Sequence, residues 1–264
     1  MSRITVTTLR KMKQAGEKIA CLTAYDASFS HILEESGVEI LLVGDSLGMV
    51  VQGQDSTLPV TLGDMIYHTR IVSGVSEKAL VMADMPFMSY ATPQQALFSA
   101  GRLLKEGGAH MVKLEGGAAM VKTVHELTSH GIPVCAHLGL LPQSVNKMGG
   151  YKVQGRDEGS AHDMIVDARA MEEAGADIVL LECVPSTLAA EITAALEVPV
   201  IGIGAGPQCD AQVLVLYDML GITPGKRPKF SKDFMQEAED VRGAVSAYVQ
   251  AVKSGSFPSG DQSF

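Results

Sequence analysis

Eight short apolar runs, each followed by an amphipathic segment, restrict what this chain can fold into. They are "IACLTAY" (19–25), "ILLVG" (40–44), "ALVMA" (79–83), "HMVKLE" (110–115), "PVCAHL" (133–138), "DIVLLE" (177–182), "PVIGIG" (199–204) and "VLVLY" (213–217). Each is almost continuously apolar rather than alternating, the pattern of parallel strands covered on both faces. The segments between them carry helix signals. Thr92-Pro93 with Gln95 reads as an N-cap, a first-turn proline and a capping-box glutamine. Thr61 with Asp64 opens another helix. The last long helix is expected to place Phe234, Ala238, Val241, Val245, Tyr248 and Val252 on one side.

Eight β–α alternations in one undivided chain predict an α/β fold, a (β/α)8 TIM barrel forming a single domain over residues 1–264. A short N-terminal helical lead and a C-terminal tail complete it. An open doubly wound sheet is the competing architecture. At 264 residues and 46% hydrophobic content the chain is large enough for such a core. Its formal charge of -9 excludes an extended phosphate backbone as a natural partner. The first residues lack the apolar centre of a signal peptide, and no apolar stretch reaches the roughly 18 residues of a membrane span. Cys21, Cys135, Cys183 and Cys209 form no CxxC pair and read as buried thiols of a reducing compartment. A mean hydropathy of +0.17 points weakly to apolar contacts between subunits.

Six of the runs end in an acid: Asp26, Asp45, Asp84, Glu115, Glu182 and Asp218. In a barrel these ends share one rim, where ligands gather. A helix N-cap is the plain alternative for each, and Asp26 and Asp218 need be nothing more. Asp45, Asp84 and Glu115 end three consecutive strands, about 4.8 Å apart. Carboxylates so placed call for a cation. Oxygen donors without a His or Cys pair at zinc spacing favour Mg²⁺. Lys113, two residues before Glu115, points to the same side of its strand. There it can hold an anion or a developing oxyanion, or simply form a buried ion pair. Glu182 lies across the barrel in the apolar run "IVLLE", which favours a raised pKa and a general-base role. The alternative is a buried acid paired with an arginine.

Other signals are weaker. "GIGAG" (202–206) is either a phosphate cradle or a site of close backbone packing. His137 reads as a satisfied core histidine more readily than as a ligand contact. The glycine-rich stretch 146–159 is a candidate lid, with Lys152 and Arg156 facing either an anion or water.

The long motifs "TAYD", "LLVGDSLGMVVQGQDSTLPVT", "ADMPFMSYATPQQA", "VKLEGG", "PVCAHLGLLPQSV", "GGYKVQGR", "LLECVP", "VIGIGAG" and "RPKF" together resemble the ketopantoate hydroxymethyltransferase family, from about Thr5 to the tail. The resemblance implies a (β/α)8 barrel and Mg²⁺ dependence. The implied reaction is transfer of a hydroxymethyl group from 5,10-methylenetetrahydrofolate to 3-methyl-2-oxobutanoate, giving 2-dehydropantoate on the way to pantothenate. Carried over by motif, it makes Asp45, Asp84 and Glu115 metal positions, with Asp45, Ser46, Asp84 and Lys113 contacting substrate and Glu182 the proton acceptor. It further implies a cytoplasmic homo-oligomer, typically a decamer. Two rivals remain: an enolate-forming lyase or mutase of the phosphoenolpyruvate mutase and isocitrate lyase type, and a catalytically silent binding barrel.

Overall fold

The computed structural model describes residues 3–264, so residues 1 and 2 of the expected domain lie outside the described residues. Eight parallel strands close on themselves: β1 (Ile19–Thr23), β2 (Ile40–Val43), β3 (Leu80–Asp84), β4 (Met111–Glu115), β5 (Val134–Gly139), β6 (Ile178–Glu182), β7 (Val200–Ile203) and β8 (Ala211–Leu214). Each pairs with its sequence neighbours, and β8 pairs with β1 through Ile19↔Ala211 to Leu22↔Leu214. The closure settles the architecture as a (β/α)8 barrel and excludes the open sheet.

The helices begin where the sequence predicts. Thr61 and Asp64 form a complete capping box at the head of Leu62–Val75. Thr92 caps Pro93–Lys105 by accepting from the Gln95 backbone, but the Gln95 side chain donates instead to the Met88 carbonyl, so that box is half-made. Asp26 is indeed a helix cap, accepting from Phe29 N at 3.0 Å. Three expectations need correction. The last strand begins at Ala211, because the buried Gln212 is polar and hides the start of the run; its amide is satisfied by the Gly206 carbonyl. Asp218 is therefore not at a strand end and caps nothing: it is buried inside the short helix Leu216–Met219. The expected last helix also splits, into a 3-10 turn at Phe234–Glu237 and the helix Val241–Ser254, whose cap is Asp240.

The N-terminal lead, Val6–Gln14, seals the bottom of the barrel. Its Lys13 pairs with Asp210 just before β8 at 2.8 Å, and its Arg10 with Asp177 just before β6 at 3.1 Å. Both acids also accept from strand backbone, Val200 N and Val134 N respectively. With that end closed, the open end is the rim formed by the carboxyl ends of the strands.

Candidate active site

The strands are buried on both faces, and the polar side chains at and just past their carboxyl ends turn toward the mouth of the barrel. Asp45, Asp84, Lys113, Glu115 and His137 do this while nearly inaccessible, and with Ser46 and Glu182 they line one cavity of about 800 Å³ at the rim. The structure therefore brings together all the predicted site residues, Asp45, Ser46, Asp84, Lys113, Glu115 and Glu182.

Strand register explains the pairing on one wall. Asp84 lies opposite Lys113 across β3 and β4, and the Lys113 ammonium donates to Asp84 Oδ1. The other Asp84 oxygen accepts from Asp45 N at 2.9 Å. Gly44 permits that approach: a side chain there would reach Ser46 Oγ at 2.8 Å and Asp84 Oδ2 at 3.5 Å. Burial alone would favour a neutral Lys113, but the carboxylates of Asp84, Glu115 and Asp45 outweigh it and hold the ammonium protonated. Burial, reinforced by the Asp84 charge, raises Asp45 to about 7. Burial likewise raises Glu115.

Two residues that the sequence reading passed over tie this wall together. Gln143 donates its amide to Asp45 Oδ2 at 2.8 Å and to the Met85 carbonyl at 2.9 Å, while its backbone N donates to Glu115 Oε2 at 3.0 Å. The Tyr90 hydroxyl donates to Gln143 Oε1 and accepts from Glu115 N at 3.3 Å. Both lie within the family motifs "ADMPFMSYATPQQA" and "PVCAHLGLLPQSV", yet a lone Tyr or Gln carries no chemical signature. Tyr25, of "TAYD", is a third, its hydroxyl 2.8 Å from Ser46 Oγ.

The opposite wall carries Glu182, Cys183 and His137. His137 is not a satisfied core histidine: neither ring nitrogen makes a hydrogen bond, and the ring lies between Glu115 and Glu182. Burial, with the nearby Lys113 charge, lowers its pKa well below the ordinary value, so the imidazole is neutral. Burial raises Glu182 to about 8, and no arginine pairs with it among the described residues. Gly139, at φ +91°, allows β5 to pass the Glu182 carbonyl, with which a side chain would clash.

The weaker signals resolve simply. A side chain at Gly204 would strike Phe230 and Phe264, each at 3.0 Å, so "GIGAG" serves close packing. All four cysteines are buried and free. Burial raises Cys135 to about 12 and Cys209 to about 11, leaving them inert thiols. In the 146–159 stretch, Tyr151 lines the cavity, and Gln154 N donates to the Cys183 carbonyl beside Glu182 at 3.0 Å.

Among the described residues, no three Asp, Glu, His or Cys side chains are placed to grip one ion; Lys113 holds one oxygen of Asp84 and Gln143 one oxygen of Asp45. The donor set nevertheless suits a hard cation. Glu115 Oε1 is buried without a hydrogen-bond partner, and the negative charges of Asp45, Asp84 and Glu182 all act on Glu115.

A parallel barrel with acids, one buried lysine and an isolated carboxylate facing one cavity at its carboxyl rim defines a (β/α)8 enzyme for a small molecule. The family model for ketopantoate hydroxymethyltransferase matches residues 3–260, and the chain belongs to that family, a family of transferases. It is 61% identical to the 3-methyl-2-oxobutanoate hydroxymethyltransferase of Nitrosococcus oceani, over 98% of each chain. It is 56% identical to that of Erwinia tasmaniensis over the full length of both. Among solved structures, phosphonopyruvate hydrolase in complex with oxalate and Mg²⁺ shares the fold with a TM-score of 0.62 at 12% identity, covering 98% of this chain and 93% of the other. A 2,3-dimethylmalate lyase does so with a TM-score of 0.59 at 20% identity, over 83% of each. At those identities the likeness is one of fold alone.

Proposed function

We propose that the chain transfers a hydroxymethyl group from 5,10-methylenetetrahydrofolate to 3-methyl-2-oxobutanoate, giving 2-dehydropantoate for pantothenate synthesis, with Mg²⁺ as its metal. The observation that carries this reading is the division of the cavity between a cationic anchor beside three acids, Lys113 with Asp45, Asp84 and Glu115, and an isolated carboxylate of raised pKa, Glu182. Family membership supplies the substrates. Asp45, Asp84 and Glu115 are the residues that would hold the metal, which would supply Lewis acidity at the 2-oxo oxygen.

The chain's own groups account for the rest. Lys113, fixed by Asp84, offers its ammonium to the acid's carboxylate, and Ser46, braced by Tyr25, contributes a hydroxyl to the same end. Glu182 accepts the proton from C3. Its raised pKa matches a base that works near neutrality. The neutral His137 beside it adds no competing charge and keeps the carboxylate desolvated. Water adds to the methylene bridge of the donor, both carbon–nitrogen bonds break, and tetrahydrofolate leaves with its nitrogens protonated. The deprotonated C3 bonds to the one-carbon unit so released at the formaldehyde level. The resulting alkoxide, whose oxygen came from that water, takes back the proton held by Glu182. Residues 146–159, which bring Tyr151 to the mouth, would act as a lid that excludes bulk water. The family resemblance further supports a cytoplasmic decamer.

The direct test follows the C3 proton of 3-methyl-2-oxobutanoate by NMR in D2O, with Mg²⁺ or with EDTA. Metal-dependent loss of the signal is expected. If no exchange occurs with Mg²⁺, whether or not tetrahydrofolate is added, the substrate assignment fails and the lyase reading takes its place.

A further inference from the structure

The residue that follows Glu182 leaves the strand abruptly. Cys183 has φ +49°, in the left-handed region that favours glycine. Among the described residues one other non-glycine position does this, Met88 at φ +62°, in an exposed turn. Cys183 is buried, and its neighbour is the proposed base. A residue with a β-carbon keeps that conformation only where its surroundings over-determine it, and such residues gather where a reacting group has to be aimed.

Three backbone hydrogen bonds supply the constraint, each from a different segment. The Glu182 carbonyl accepts from Leu140 N at 2.8 Å, Cys183 N donates to the Ile203 carbonyl at 2.9 Å, and the Cys183 carbonyl accepts from Gln154 N at 3.0 Å. They tie the end of β6 to the turn after β5, to β7 and to the 146–159 stretch. Strand alternation would send Cys183 to the opposite face from Glu182, yet both residues line the cavity. The thiol is not the functional part, because burial and the Glu182 charge both raise its pKa and leave it inert. Nor is the Glu182 carboxylate steered from its own tip: His137 Nε2, 3.3 Å away, makes no hydrogen bond to it. Its direction is set by the backbone that carries it.

We propose that Cys183 is a positioning residue, whose left-handed backbone, fixed by Leu140, Ile203 and Gln154, is the elbow that aims the Glu182 carboxylate at C3 of the substrate. This rests on the assignment of Glu182 as the base and adds to it what holds that base in place.

The test compares Cys183→Gly with Cys183→Ala in the Mg²⁺-loaded protein with tetrahydrofolate present, by C3 proton exchange of 3-methyl-2-oxobutanoate and by thermal melting. Both variants lack the thiol, but only glycine takes up the left-handed conformation without penalty, and only glycine is free to leave it. Cys183→Gly is expected to melt about 2–4 °C above Cys183→Ala. Its kcat for exchange is expected to lie about tenfold or more below that of Cys183→Ala, with KM within about twofold, because a loosened base misses the C3 proton while the anchor at Lys113 is untouched. A variant that is more stable and less active is the signature of a strained elbow, since damage to the fold would move both readouts down together. Cys183→Ser provides a second reference that keeps the β-carbon should Cys183→Ala melt early. Equal kcat in the glycine and alanine variants overturns the proposal, as does a loss of kcat accompanied by a lower melting temperature or by a parallel rise in KM. Glu182→Gln separates this from failure of the base assignment: exchange that persists in Glu182→Gln places the base elsewhere, whereas exchange lost there but kept in Cys183→Gly overturns the elbow alone.

Discussion

Glu182 Oε2 lies 3.3 Å from His137 Nε2, a diagonal contact across β5 and β6, since the register places Gly139 opposite Glu182 and Leu180 opposite His137. A neutral imidazole at that distance leaves the acid buried without a counter-charge in direct contact. This is the physical reason that Glu182 is a stronger base than an exposed glutamate.

Removing that base should abolish turnover while sparing the rest of the site. Glu182→Gln is expected to lower the rate by about 10² to 10⁴, the usual contribution of a positioned base. Mg²⁺ binding by calorimetry should remain. Near-normal C3 exchange in the variant would assign the base elsewhere.

The pH profile has a definite sign. Glu182, raised to about 8 in the metal-free chain, must be deprotonated to accept the C3 proton, and a bound cation lowers that value. Exchange should therefore rise with pH, about tenfold per unit, to a midpoint at or below about 8, and then level off. A flat profile between pH 5 and pH 8 would be incompatible with this base.

Stability of the chelated protein should run the other way. Asp45, raised to about 7, binds its proton more tightly when folded than when unfolded. Between the ordinary aspartate value near 3.9 and about 7 its contribution to stability therefore falls as pH rises. Lys113, raised above its ordinary value, contributes a stability that does not change in that window. The melting temperature of the wild type, taken relative to Asp45→Asn, should drop by several degrees from pH 5 to pH 8, at about 2–4 °C for each kcal/mol. Mg²⁺ should restore it more at pH 8 than at pH 5. A difference that is constant with pH would contradict the raised Asp45.

Gln143 and Tyr90 orient the carboxylates that would hold the metal. Gln143→Leu removes the amide donor to Asp45 and is expected to weaken Mg²⁺ binding about tenfold or more. Tyr90→Phe leaves Gln143 Oε1 and Glu115 N short of a partner, and should have a smaller effect of the same sign. Excess Mg²⁺ should recover C3 exchange in both. Unchanged affinity in properly folded variants would leave the bracket without a role in metal binding.

Sedimentation should give a particle of about ten times the 27.9 kDa chain if the family's decamer holds. The outer surface has apolar side chains to cover: Phe98 is 65% exposed and Met88 57% exposed, with Phe87 nearby in sequence. Phe98→Glu should shift the distribution to smaller species if that patch is in the interface. A monomeric wild type would end the decamer reading.

The sequence by itself determined the barrel and most of its rim. Strands buried on both faces must be apolar throughout, so the runs ending at Asp45, Asp84, Glu115 and Glu182 stand out, and Lys113 within "MVKLE" is conspicuous for the same reason. Caps such as Asp26 and Thr61 are equally legible because they act within a single turn. Only the tertiary structure decided the contacts between distant segments. Gln143 reaches Asp45 across 98 residues, and Tyr90 reaches Gln143 across 53. A polar side chain in a loop has no period that distinguishes it from a solvated one. The start of β8 is hidden in the sequence because the buried Gln212 is polar, its amide satisfied by the Gly206 carbonyl, and the place of Asp218 in a helix rather than at a strand end is hidden with it. His137 is illegible for the opposite reason: its strand position implies burial, but whether its nitrogens find partners depends on Glu115 and Glu182, which closure of the barrel brings to either side of the ring.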